Sequence, residues 1–141
     1  MPVEIVRAGA DAVAAFYRAT EREALRVLYD FSVVWHEQAY DFVALDGEAT
    51  VGAATIRVAA SVATLQRIVV EPERRRRGIG RELLGAAADA ASYYNCHKIS
   101  AFVPRAGAAQ RFFEACGYRE EAVLPQHTFK LDVAVLRKFL L

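Results

Sequence analysis

Four consecutive arginines, Arg74 to Arg77, lead into Gly78-Ile79-Gly80, after which Arg81-Glu82-Leu83-Leu84 resumes at helical spacing. Two glycines one residue apart at the mouth of a helix let the backbone approach a ligand and turn its N–H groups outward. Those N–H groups are the unsatisfied donors of a first helical turn, with the helix dipole behind them. Together they suit an anion, and a phosphate best. Ahead of the turn, Ile68-Val69-Val70 is a β-branched run that reads as the end of a buried strand. Pro72 stops it by removing a ladder donor and holding Glu71 extended.

Absent residues narrow the ligand. A Walker P-loop needs Gly-Lys-Ser/Thr to reach terminal phosphates and magnesium, and here Gly80 is followed by Arg81-Glu82. A dinucleotide fingerprint needs a third glycine where the chain has Leu83. The arginines could form a nucleic-acid patch, but no aromatic residue interleaves with them and the formal net charge is only +1. No nucleic-acid partner is expected.

The elements that must hold this turn follow from periodicity. Val3-Glu4-Ile5-Val6-Arg7 alternates and predicts a first strand, closed by Ala8-Gly9. Asp11 is placed to cap a helix whose apolar stripe is Val13, Phe16, Tyr17, Thr20, Ala24, Val27 and Leu28. Ser32 to Gln38 reads as a short second helix or an irregular loop, with the helix preferred. Asp41–Leu45 and Val51–Val58 form a hairpin around Asp46-Gly47, and Ala59–Val62 turns again into the strand that ends at Val70.

After the glycines, Ile79, Leu83, Ala87, Ala90 and Tyr94 share one helical face, with a stop near Asn95. Ile99–Val103 follows as a strand and Ala106–Cys116 as a helix closed at Gly117, a left-handed cap. Tyr118–Leu124 and Leu131–Leu136 make a closing pair of strands around Pro125-Gln126-His127.

Residues 1–141 read as one domain, long enough to bury a core of its own. Hydrophobic residues at 55% and charged ones at 25% suit a globular chain without a long disordered tail. Cys96 and Cys116 lack metal-type spacing, so neither a zinc site nor a disulfide framework is expected. Met1-Pro2-Val3-Glu4 has no basic start or apolar signal core, and no run approaches the roughly 18 apolar residues of a membrane span. A cytoplasmic setting without membrane contact is expected.

The pattern Arg75-x-x-Gly78-x-Gly80, after a Val-x-Pro strand end, resembles the Gln/Arg-x-x-Gly-x-Gly/Ala signature of the GCN5-related N-acetyltransferase (GNAT) family. Ala106, Ala109, Phe112, Phe113, Glu114, Ala115, Gly117 and Tyr118 fall in register with the helix that often closes that family's domain. The resemblance covers about Asp41 to Leu136. It implies an α/β acyl-CoA N-acyltransferase fold, with a mixed, mostly antiparallel sheet of about seven strands and helices on both faces.

It also implies acetyl-coenzyme A as co-substrate, without a metal. The pyrophosphate would lie on main-chain amides of the turn and the pantetheine arm along the preceding strand. The cofactor positions so implied are Ile68, Val69, Val70, Arg75, Arg76, Arg77, Gly78, Ile79, Gly80, Arg81 and Phe113. The expected reaction is acetyl transfer to a primary amine, of a small molecule or of a protein N-terminus or lysine. The alternative is a module of the same fold that binds the coenzyme without chemistry. Strand edges near the C-terminus leave room for a homodimer.

Such a transfer needs a neutral amine, a donor to the thioester oxygen, a proton for the thiolate and alignment of the reactants. Alignment alone can supply on the order of 7 kcal/mol. A strand N–H, that of Val70 or its neighbour, would polarise the carbonyl. The family's usual thiolate acid is a tyrosine four residues before the helix-ending glycine, where this chain has Phe113. Ala101 and Thr64 stand where members of the family carry a glutamate. The remaining proton carriers are Glu37 and His36, in a segment that often lines the acceptor side in the family, and His127 in the last strand connection.

Overall fold

The computed structural model describes residues 2–140. The chain forms two compact units, Met1–Trp35 and His36–Leu141. The first holds one helix, α1 (Ala10–Tyr29). The expected strand at Val3–Arg7 does not form, and residues 2–9 carry no regular structure. Alternation marks a segment that can pair, but a strand also needs a partner for its N–H and C=O groups. The helix starts from Gly9 without a side-chain cap, and Asp11 sits in the first turn, where its charge opposes the dipole. Asp30 closes it at φ 61°, its N–H donating to Arg26 O at 2.9 Å.

The expected helix over Ser32–Gln38 is also absent. Ser32 to His36 is irregular and Glu37 already opens β1 (Glu37–Asp46). Consecutive Val33, Val34 and Trp35 are poor helix formers, and Glu37 finds a ladder partner in Ala59.

The second unit continues with β2 (Ala49–Ala59), β3 (Val62–Val70), α2 (Ile79–Tyr93), β4 (Lys98–Pro104), α3 (Ala108–Ala115), β5 (Arg119–Leu124) and β6 (Val133–Phe139). These six strands form one sheet in the order β1-β2-β3-β4-β6-β5, one fewer than expected because the N-terminal strand is missing. Every neighbouring pair is antiparallel except β3 and β4. The first hairpin turns at Gly47-Glu48, one residue later than the Asp-Gly pair suggested, with Gly47 at φ 61°.

Helix α2 is the crossover between the parallel strands, and its buried face is Leu83, Leu84, Ala87 and Ala91. Of these, Leu84, Ala87 and Ala91 pack with Ile56, Ala63, Ile99, Ala101 and Leu136 of the sheet, and with Phe113 and Tyr118, into one core. Small alanines on α2 let it approach closely; Ala87 and Ala91 are fully buried. Helix α3 ends as expected, with Gly117 at φ 95° and Gly117 N–H donating to Glu114 O at 3.1 Å.

Two irregularities open the sheet where α2 begins. The β2–β3 register shifts so that Thr55 faces Arg67 while Ile56 faces Leu65, which leaves Gln66 as an extra residue in β3. The parallel ladder holds only Val62↔Lys98, Ala63↔Ile99 and Thr64↔Ser100. Beyond that rung β3 keeps β2 as its neighbour and β4 keeps β6. The edge of β3 from Leu65 to Val70 is therefore unpaired on the β4 side.

Candidate active site

The register says which backbone groups face that opening. Glu71 N–H donates to Val51 O at 2.9 Å, towards β2. Strand groups alternate sides with a period of two, so Val69 also faces β2, and Ile68 and Val70 direct their N–H and C=O groups into the gap. The Val70 carbonyl is held there by Arg75, whose Nε donates to it at 3.1 Å.

From Val70 the chain passes through a single turn, Pro72–Arg74, and bends at Arg76 (φ 63°) and Gly78 (φ 83°). Gly78 caps α2. The first helical bond runs from Glu82 N–H to Gly78 O at 3.0 Å. Among the described residues, the amides of Gly78, Ile79, Gly80 and Arg81 thus donate to no main-chain carbonyl. Gly80 allows α3 to come close: a Cβ there would stand 3.1 Å from Phe112 Cζ.

These parts wall one cavity of about 630 Å³. It is lined by Ile68, Val69, Val70, Arg75, Arg76, Gly78, Ile79, Gly80, Arg81 and Phe113, all expected from sequence. Arg77, expected with them, is not on its wall. Arg74, Ala108, Ala109 and Phe112 line it and were not expected. Only the pairing of α3 with the mouth of α2 brings the last three in, and nothing in local sequence spacing announces that pairing. Two further cavities of about 480 Å³ flank Arg105, which pairs with Glu120 at 3.1 Å.

The arginines divide by role. Arg74 pairs with Asp46 at the end of β1, which ties the turn to the first hairpin. Arg75 holds Val70 O, and Arg81 Nη1 reaches Ala115 O at 3.5 Å. Arg76 and Arg77 are exposed and make no ion pair among the described residues.

The expected proton carriers do not gather at this cavity. Glu37 lies at the other end of the sheet, on the rung of Ala59 and Val62, and pairs with Arg57 at 3.5 Å. Eight residue steps along β3 lead from Val62 to Val70, roughly 26 Å. His36 is an exposed residue just ahead of β1. His127 is exposed in the β5–β6 connection; its N–H donates to Leu131 O at 2.8 Å and its Nδ1 lies 3.0 Å from Thr128 Oγ1. Phe113 is 3% exposed, and its ring meets Phe112 and Tyr118 edge to face at centroid separations of 5.4 and 5.1 Å. Ala101 points into the core, 1% exposed.

The sheet thus parts between its two parallel strands, with a glycine turn of free amides at the wider end. The family profile of the acetyltransferase (GNAT) domain matches residues 37–120, and the chain belongs to that family. No curated protein sequence matches it. Among solved structures it is similar to an acetyltransferase from Bacillus cereus, with TM-score 0.73 and 16% identity over 97% of this chain and 98% of that one. It is similar also to the ribosomal-protein-S18-alanine N-acetyltransferase from Escherichia coli, with TM-score 0.64 and 18% identity over 96% and 92%. An aminoglycoside 6'-N-acetyltransferase complexed with coenzyme A gives TM-score 0.64 and 17% identity over 73% of each chain. At such identities the likeness is one of fold. No helix among the described residues is long and apolar enough to cross a membrane.

Proposed function

We propose that this chain is an acetyl-coenzyme A dependent N-acetyltransferase acting on a primary amine, working as a single domain in the cytoplasm. The observation that carries the reading is the set of main-chain amides from Gly78 to Arg81, which open on the cavity without an internal acceptor. A diphosphate fits there: the dipole of α2 favours negative charge, Arg76 adds a cation on the rim, and the cavity has room for an extended arm beside Ile68 and Val70. A solved relative of the same fold, the aminoglycoside 6'-N-acetyltransferase, is a complex with coenzyme A, which supports the choice of ligand.

In this reading the residues work by alignment and by main-chain polarity. Unpaired N–H groups of β3, at Ile68 and Val70, hold the arm and polarise the thioester carbonyl as it gains negative charge. The amine nitrogen bonds to the carbonyl carbon, the carbon–sulfur bond breaks, the amine gives up one proton, and the thiolate takes one up. Phe113 carries no proton, so the thiolate is protonated from solvent.

A second reading, a module that binds the coenzyme without turnover, draws on the same Phe113, buried at the cavity wall without a hydroxyl. Titration calorimetry with acetyl-coenzyme A, followed by thiol release over a panel of small amines and peptides with free N-termini, separates the two. Binding with release supports the enzyme, and binding alone across a broad pH range supports the module. No heat at all would reject both.

A further inference from the structure

Helix α3 supplies Ala108, Ala109, Phe112 and Phe113 to the cavity beside the glycine turn, yet it is only 8 residues long and starts at Gly107 without a side-chain cap. A helix that short has little stability of its own, so tertiary bonds must set its place. Its buried residues are Gln110 and Phe113. An apolar contact such as that of Phe113 has no preferred direction and tolerates sliding, whereas a hydrogen bond fixes distance and angle. The bend that leads into α3 is also strained, with Ala106 at φ 63°.

Gln110 holds that bend. It is 7% exposed, and both ends of its amide are used: Oε1 accepts from Ala106 N–H at 2.7 Å, and Nε2 donates to Glu120 Oε1 of β5 at 3.0 Å. The first bond resembles a capping box, in which the third residue of a helix reaches back to a free main-chain N–H ahead of it. Glu120 is fixed in turn by Arg105, whose Nε and Nη2 donate to its two oxygens at 3.1 and 3.3 Å. Arg111 donates from Nη1 to Ala106 O at 3.3 Å, so α3 binds both polar groups of the strained residue.

We infer that Gln110 is a positioning residue for the coenzyme, its amide locking α3 at the distance from the mouth of α2 at which Phe112 meets Gly80. Gln110 does not line that cavity, so it acts through its neighbours Ala109, Phe112 and Phe113, which do. Two hydrogen bonds at one buried amide tie the end of β4, the first turn of α3 and β5 into one unit, and that unit sets the width of the cavity. The inference rests on the acetyltransferase reading above and names what holds the α3 wall of its coenzyme site.

The test compares Kd for acetyl-coenzyme A by calorimetry, with urea midpoints as the measure of stability. Gln110→Met removes both hydrogen bonds at nearly unchanged volume and should weaken binding at least about fivefold, the weight of roughly one neutral hydrogen bond. Gln110→Glu sets two carboxylates against each other and should weaken it at least as much. The swap Gln110→Glu/Glu120→Gln reverses donor and acceptor: a carboxylate at position 110 still accepts from Ala106 N–H, and an amide at position 120 donates to it while accepting from Arg105. The swap should bind within about twofold of the parent. Parent-like affinity in Gln110→Met or Gln110→Glu, even with a lowered urea midpoint, makes the bonds structural only and overturns the inference. A swap that binds no more tightly than Gln110→Glu overturns it too, and this second comparison decides if Gln110→Met does not fold. In both cases binding by the parent leaves the coenzyme site standing. A parent protein that does not bind the coenzyme defeats the acetyltransferase reading itself, and the inference with it.

Discussion

The ring of Phe112 occupies the space that a side chain on Gly80 would need: a Cβ there would meet Phe112 Cζ at 3.1 Å and Val70 Cγ2 at 3.9 Å. Gly80 thus does two things, baring an amide to the cavity and letting α3 close on the mouth of α2. Gly80→Val should cost about 1 to 3 kcal/mol of stability through overpacking and also weaken acetyl-coenzyme A. Urea unfolding and calorimetry read the two losses separately. Adding Phe112→Leu should restore part of the stability and little of the affinity; recovery of both would mean that the glycine serves packing alone.

Gly78 is a different case, since nothing lies within 4 Å of its missing Cβ but its φ is 83°. Gly78→Val should cost roughly 1 to 2 kcal/mol through left-handed backbone strain. Gly78→Asn should cost less, because asparagine visits that region more readily. Both should weaken the coenzyme if the turn must keep its shape to present amides. Equal affinity in all three proteins, measured by calorimetry, would count against the phosphate site.

Much of this site could be read in sequence because its signals are local. A β-branched run, a proline, two glycines and a helical stripe each act within a few residues, and they fixed β3, the turn and α2 nearly as observed. The errors arose where the deciding partner is distant. Val3 to Arg7 alternates but pairs with nothing in the sheet, and Ser32 to Gln38 gives up a helix because Glu37 pairs with Ala59. The place of Phe112 on the cavity wall stayed unread for the same reason: it comes from α3 meeting the mouth of α2.

Arg75 acts through one contact, Nε to the Val70 carbonyl, on an exposed side chain. Arg75→Ala should therefore weaken acetyl-coenzyme A by only a few-fold, less than either glycine-to-valine change, because a rim charge is screened by water and salt. The difference between variant and parent should narrow as ionic strength rises. A deficit that stays constant with salt would point to a lost strand-edge geometry instead of a lost charge.

Phe113 lines the cavity and is packed on two aromatic rings, so Phe113→Tyr adds one hydroxyl at the edge of an existing fit. If that hydroxyl opens on the cavity it can give the departing thiolate a proton, and kcat should rise several-fold with coenzyme affinity unchanged. Thiol release against pH measures this. An unchanged kcat with a stability loss of about 1 to 3 kcal/mol would instead mean that the new hydroxyl is sealed in the core without a partner.

Tyr118 already shows that second condition. Its ring is 2% exposed, its hydroxyl has no partner, and burial pushes its pKa up to about 12, from an ordinary value near 10, with the nearby Cys116 adding to the shift. Because the folded state holds the proton more tightly, the unfolded chain ionises first as pH rises. Folded stability should then fall between about pH 10 and 12, by roughly 1.4 kcal/mol per unit from this group. Tyr118→Phe removes both the orphan hydroxyl and the titration. The variant should be more stable than the parent by about 1 kcal/mol at neutral pH, and its advantage should widen above pH 10. Urea midpoints of the two proteins at pH 7 and pH 11 give the comparison, and an advantage that does not grow with pH would show that the hydroxyl reaches water in solution.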